Sequence, residues 1–181
     1  MTTLQIENNI LTGARFIASS NCDDRPDESD ISLIVIHGIS LPPGSFGGSY
    51  IDELFTNQLD KNSHPYFLTI AELKVSSHLL INRLGEVTQY VPFHKRAWHA
   101  GESCYKERTC CNDFSIGIEL EGTDTDNYTD AQYNVLNSVL NSLLENYPNL
   151  TPDNIVGHCD IAPGRKTDPG PAFDWQRLVV K

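Results

Sequence analysis

Leu33-Ile34-Val35-Ile36-His37 and Phe114-Ser115-Ile116-Gly117-Ile118-Glu119-Leu120-Glu121 decide how this chain folds. Four consecutive apolar residues before a histidine suit a strand buried on both faces, because a half-exposed strand would alternate. Strand side chains point to alternate sides, so Leu33, Val35 and His37 share one face. The second stretch does alternate. Phe114, Ile116, Ile118 and Leu120 address a core, while Ser115, Gly117, Glu119 and Glu121 turn the other way. Glu119 has two readings at this point: the solvated face of an edge strand, or a semi-buried general base with Gly117 leaving space beside it.

Working outward, His78–Asn82 and Glu86–Val91 flank Arg83-Leu84-Gly85 and read as a β-hairpin. Ser49 caps a short helix that turns Tyr50, Ile51, Leu54 and Phe55 inward. Thr129-Asp130-Ala131-Gln132 is a capping box. The helix it opens carries Tyr133, Leu136, Val139, Leu140, Leu143 and Leu144 at helical spacing and stops before Pro148. Ile155-Val156-Gly157-His158 is a last short strand that delivers His158 to a loop, and Pro42–Gly48 is an irregular loop. Strands and helices in this mixed order, with a hairpin among them, predict an α/β fold: a single domain over residues 1–181, core about 30–178, with a mixed central β-sheet covered by helices.

The chain carries 24 acidic and 13 basic residues, a formal charge of −11. That balance argues against nucleic acid and against anionic membrane surfaces as partners. An anionic substrate must then be met by a local basic cluster, for which Lys74, Lys95, Arg96, Arg108, Arg165 and Lys166 are candidates. Five cysteines, an odd number without regular spacing, do not form a disulfide framework and favour a reducing compartment. The first residues lack a basic start and an apolar h-region, and no stretch approaches a membrane span, so the expected location is cytoplasmic. A monomer is expected.

The chemistry concentrates in Gly157-His158-Cys159-Asp160-Ile161-Ala162-Pro163-Gly164-Arg165-Lys166-Thr167-Asp168. His158 and Asp168 are residue types that zinc prefers, and the turn-rich chain between them can fold back to bring them together. With His37 they make two histidines and a carboxylate, a set that leaves a fourth tetrahedral position for water. The spacing therefore suggests a zinc hydrolase, with His78 as the rival ligand. Lys166 either aims its ammonium at a developing oxyanion or is an exposed lysine in a polar turn. Trp98 and His99 pair an apolar platform with a polar donor and suit stacking on a sugar ring, although Trp98 equally suits core packing.

Long motifs then resemble one family. Leu11-Thr12-Gly13-Ala14-Arg15, Ile39-Ser40-Leu41-Pro42-Pro43-Gly44, Tyr90-Val91-Pro92-Phe93, Lys95–Gly101, Asn112–Thr125 and Phe173-Asp174-Trp175 are similar to the AmpD-type cytosolic 1,6-anhydro-N-acetylmuramoyl-L-alanine amidases. These belong to the zinc amidase superfamily that also holds the peptidoglycan recognition proteins. The resemblance implies one Zn2+ on His37, His158 and Asp168, a zinc-bound water as nucleophile, Glu119 as general base and Lys166 as oxyanion stabiliser. It implies an anhydro-muropeptide as the small-molecule substrate, cut between the lactyl group and L-alanine during wall recycling. Lys74, Trp98, His99 and Arg108 are the candidate substrate contacts. Two alternatives stand beside it: a non-catalytic muropeptide-binding module, and an amidase of intact peptidoglycan. The chain departs from the family pattern at Gly38, where an asparagine is usual, and at Lys74 and Cys110, where arginines are usual. Lysine keeps the charge but not the bidentate geometry.

Overall fold

The computed structural model describes residues 4–180; residues 1–3 and 181, included in the expected domain, lie outside it. Six strands form the central sheet: β1 (Arg15–Phe16), β2 (Leu33–Ile39), β3 (Leu79–Ile81), β4 (Val87–Gln89), β5 (Ser115–Glu121) and β6 (Ile155–Gly157). Their order across the sheet is β6-β2-β5-β3-β4-β1. Every pairing is parallel except β3 with β4, the expected hairpin, in which Leu79, Leu80 and Ile81 face Gln89, Thr88 and Val87. The fold is the expected single-domain α/β arrangement with a mixed sheet.

β2 and β5 are central and their apolar alternation explains why. Ile34 and Ile36 of β2 join Ile116, Ile118 and Leu120 of β5 on one face. Four helices accompany the sheet: α1 (Tyr50–Phe55), α2 (Phe67–Ile70), α3 (Asp130–Asn146) and α4 (His158–Ile161). α3 covers the apolar face with Tyr133, Leu136, Val139, Leu140 and Leu143, while Leu144 is only partly buried. Its capping box forms as read: Thr129 Oγ1 accepts from the Gln132 N–H at 3.1 Å and Gln132 Oε1 from the Thr129 N–H at 3.0 Å. On the opposite face Leu33 and Val35 pack with Ala100, Cys111, Phe114 and Ile161. A separate apolar cluster gathers Ile51, Leu54 and Phe55 of α1 with Phe67, Leu80 and Tyr90.

Four local expectations change. Phe114 precedes β5 and packs with Leu33 and Val35 rather than on the α3 face, because the short 3-10 turn at Cys111–Asp113 ends there and breaks the alternation. All seven residues of β5 are buried, so Glu119 is not on the solvated side of an edge strand. Ser49 Oγ donates to Glu53 Oε1 at 2.6 Å instead of capping a backbone N–H. His158 opens α4 directly, with Asp160 Oδ2 accepting from the Gly157 N–H at 2.7 Å, so no loop intervenes.

The scaffold role of α3 is measurable. Leu136→Ala should cost about 2–5 kcal/mol of unfolding free energy through its cavity, and Thr129→Ala about 1 kcal/mol through the lost cap. Denaturant unfolding of the two variants checks the ranking.

Candidate metal centre

Strand register assembles the site. Glu119 lies opposite His37 in the parallel pairing of β5 with β2, so the two side chains leave the sheet side by side on the face away from α3. Gly157 lies opposite Ile36, which sets His158, the next residue, beside His37. All three come from the carboxyl ends of parallel strands, where open α/β sheets build their sites. Asp168 returns by the turn-rich segment, its carbonyl accepting from the Cys159 N–H at 3.0 Å. Gly170 permits that return: a Cβ there would stand 2.3 Å from Asp124 Cα.

The result is a tight triangle. His37 Nδ1 is 3.0 Å from His158 Nδ1 and 3.2 Å from Asp168 Oδ2, and His158 Nδ1 is 3.1 Å from the same oxygen. Ligand atoms around a tetrahedral ion with bonds of 2.0–2.1 Å stand about 3.3–3.4 Å apart, so a small expansion would turn this triangle into a zinc-sized seat. The donor set, two imidazole nitrogens and a carboxylate oxygen, also suits that ion. Among the described residues, this trio alone gathers three such groups closely enough to hold a metal ion.

Glu119 stands over the triangle, its Oε1 4.0 Å from His37 Nδ1, while its Oε2 is buried with no hydrogen-bond partner. Burial raises its pKa well above the ordinary carboxylate value, and the Asp168 charge adds to the rise. For Asp168 burial works in the same direction, but the close approach of the His158 and His37 imidazoles outweighs it and holds the carboxyl below its usual range. Burial likewise lowers His37 to about 4. Around these groups lies a cavity of about 570 Å³ lined by Leu54, Phe55, Ile70 and Val75 and by Lys166, Thr167 and Asp168.

The remaining candidates disperse. Of the six basic residues proposed as a cluster, Lys166 lines the cavity; Arg96 pairs with Asp23 and Asp113 at 2.5 Å, Lys95 with Asp24, and Arg108 with Asp30 at 2.5 Å. Arg108 also lies 3.7 Å above the Phe114 ring. Trp98 Nε1 donates to Asp23 Oδ1 at 3.1 Å, and Lys74 is an exposed residue between the wall residues Leu73 and Val75. His99 does reach the cavity, but its Nδ1 is 2.9 Å from His37 Nε2 and its Nε2 3.1 Å from Ser115 Oγ. Gly38 has its side-chain space taken by Tyr128, whose hydroxyl oxygen would stand 2.5 Å from a Cβ. Cys110 is exposed at φ +59°, and all five cysteines are unpaired. Glu121 accepts from the Gly47 and Arg83 N–H groups and so ties the Pro42–Gly48 loop to β5.

His78 is engaged elsewhere. Its Nδ1 accepts from the Gly117 N–H at 3.0 Å, so its own proton sits on Nε2, which faces the Lys95 carbonyl at 3.0 Å.

The model of the N-acetylmuramoyl-L-alanine amidase family matches residues 27–171. The chain belongs to that family. It is an N-acetylmuramoyl-L-alanine amidase of the AmpD type, 59% identical over 175 residues to the 1,6-anhydro-N-acetylmuramyl-L-alanine amidase AmpD of Escherichia coli K12, covering 97% of this chain and 95% of that one. A crystal structure of a selenomethionine AmpD derivative superposes with a TM-score of 0.94 at 59% identity, covering 97% of each chain. The amidase AmiD of E. coli, solved with anhydro-N-acetylmuramic acid-L-Ala-D-gamma-Glu-L-Lys, superposes at a TM-score of 0.61 and 29% identity, covering 98% of this chain and 65% of AmiD. No helix among the described residues is long and apolar enough to cross a membrane.

Burial, with Arg25 beside it, holds His78 neutral far below its ordinary 6.5. The unfolded chain therefore binds a proton there that the native amidase does not, and stability from this residue is lost as pH falls through 6.5. Between pH 7.5 and 5.5 the stability advantage of the parent over His78→Asn should shrink by about 1.4 kcal/mol. Denaturant unfolding of both proteins at the two pH values measures it; an unchanged difference refutes the assignment.

Proposed function

We propose that this amidase hydrolyses the amide between the lactyl group of 1,6-anhydro-N-acetylmuramic acid and the L-alanine of a stem peptide, using one zinc ion on His37 Nδ1, His158 Nδ1 and Asp168 Oδ2. The observation that carries the reading is the triangle of those three atoms with the buried Glu119 carboxyl beside it, its Oε1 4.0 Å from His37 Nδ1 and its Oε2 without a partner. When bound, zinc supplies Lewis acidity, polarising the scissile carbonyl and acidifying water. Glu119 Oε2 takes the proton of the attacking water and returns it to the leaving alanine nitrogen. Burial favours the protonated carboxyl, which makes this residue a base that holds its proton through the tetrahedral stage rather than losing it to solvent. The Lys166 ammonium, which lines the same cavity, compensates the oxyanion. The apolar wall of Leu54, Phe55, Ile70 and Val75 keeps competing water from the reacting centre.

The choice of a small anhydro-muropeptide rests on the AmpD relatives and on the anhydro-muropeptide bound by AmiD, as their names state. Five unpaired cysteines suit a reducing compartment, so we assign the activity to cytoplasmic recycling of wall fragments.

Glu119→Gln removes the base while keeping the shape. It should retain one zinc per chain and lose about 10²–10⁴-fold in turnover of anhydro-muropeptide, followed by mass spectrometry of the released peptide. A variant with parental turnover refutes the role of Glu119; a zinc-free, fully active parent refutes the metal. Turnover on intact sacculi exceeding that on the small substrate refutes the substrate class.

A further inference from the structure

This inference rests on the metal reading above and concerns what keeps the two histidine ligands ready for it. A neutral imidazole carries one N–H, and only the bare nitrogen can bind a metal. His158 Nε2 lies 3.1 Å from the Ala100 carbonyl, which can only accept. Its proton is thereby held on Nε2, and Nδ1 faces Asp168 and His37 with its lone pair free. His37 has no such carbonyl. Its Nε2 meets the Nδ1 of His99, a group that can give or take a proton, and the His99 Nε2 meets the Ser115 hydroxyl, which can do the same.

Two arrangements of that chain are possible. In one, His37 Nε2–H donates to His99 Nδ1, and His99 Nε2–H donates to Ser115 Oγ. In the other every bond reverses and the His37 proton moves to Nδ1, which blocks the metal seat. We propose that His99 is a positioning residue that, with Ser115 closing the chain, holds His37 in the metal-ready tautomer and fixes its ring. The residues His99 and Ala100 then serve both ligands, one through its side chain and the other through its carbonyl.

The surroundings are built for this. Asn112 Oδ1 accepts from the His99 and Ala100 N–H groups at 3.1 and 2.8 Å, clamping the dipeptide. Arg165 Nη2 donates to the Ala100 carbonyl at 2.7 Å and steadies it. The His99 ring occupies the space that a side chain on Gly117 would need, since a Cβ there would stand 2.5 Å from the ring Cγ. It meets the His37 ring edge-on, centroids 5.0 Å apart at 89°, so the ring has little room to turn. Outer-shell partners of this kind orient metal ligands and typically govern about 10–100-fold of metal affinity.

The test measures zinc affinity directly, by competition with a chromophoric chelator, on metal-stripped parent, His99→Phe, His99→Gln and Ser115→Ala, with circular dichroism of each metal-free protein. His99→Phe keeps the ring volume without an acceptor and should weaken zinc binding about 10–100-fold with an unchanged metal-free spectrum. His99→Gln restores an acceptor and should recover most of that loss. Ser115→Ala should weaken binding less than His99→Phe. Parental zinc affinity in His99→Phe overturns the proposal. If His99→Phe does not fold, Ser115→Ala decides: weaker zinc binding supports the proposal and parental affinity overturns it. A parent that binds no zinc overturns the metal reading itself, and this inference with it, a result distinct from equal affinities in parent and variants.

Discussion

Parallel, in-register pairing of β2 with both β5 and β6 is the constraint from which the site follows. The pairing sets Glu119 opposite His37 and Gly157 opposite Ile36, so that a carboxylate and two imidazoles arrive at neighbouring positions on one face. Strand side chains alternate, and a slip of one residue would carry His37 or Glu119 through to the α3 face. Ile34 and Ile36 on that face and Leu33 and Val35 on the other anchor the strand between two apolar clusters. The apolar run that defines the strand thereby also positions the chemistry.

A second consequence is electrostatic. The chain carries an excess of acidic residues, yet the site places two buried imidazoles against two carboxyl groups in a small volume. Burial penalises every charged form there, which is why Glu119 favours its proton and His37 resists one. A divalent cation held there would relieve the crowding of donor atoms in the triangle of His37, His158 and Asp168, since bonds to three lone pairs would replace their mutual repulsion. Most of the basic side chains read as possible substrate anchors serve elsewhere. Arg96 ties Asp23 to Asp113, and Arg25 joins the segment around Asn112 to β5 through the Ser115 carbonyl.

Much of this was legible in the residues. Alternation along Ser115–Glu121 and the run Leu33–Ile36 predicted two strands of the core, and Thr129 with Gln132 marked the start of α3, because these signals are local and periodic. The zinc set was open from spacing alone, with His78 as a rival, and only the family resemblance favoured His37, His158 and Asp168. What set His78 apart in space is the Gly117 N–H, which occupies its Nδ1, a contact between residues 39 positions apart. Phe114 misled for a local reason: the alternation continues through it, but the backbone turns at Cys111–Asp113 before the strand begins.

The sequence by itself determined the elements, the buried faces and the residue types able to bind a metal, because each depends on neighbours a few positions away. Only the tertiary structure decided which of those residues meet. His99 was read as the polar donor beside a Trp98 platform for a sugar ring, yet its ring lies between Gly117 and His37, and nothing in the sequence paired it with Asn112, Ser115 or the Ala100 carbonyl with His158. Their roles depend on donors and acceptors brought within about 3 Å across long stretches of chain, and hydrogen bonding at that range is a property of packing, not of spacing along the polypeptide.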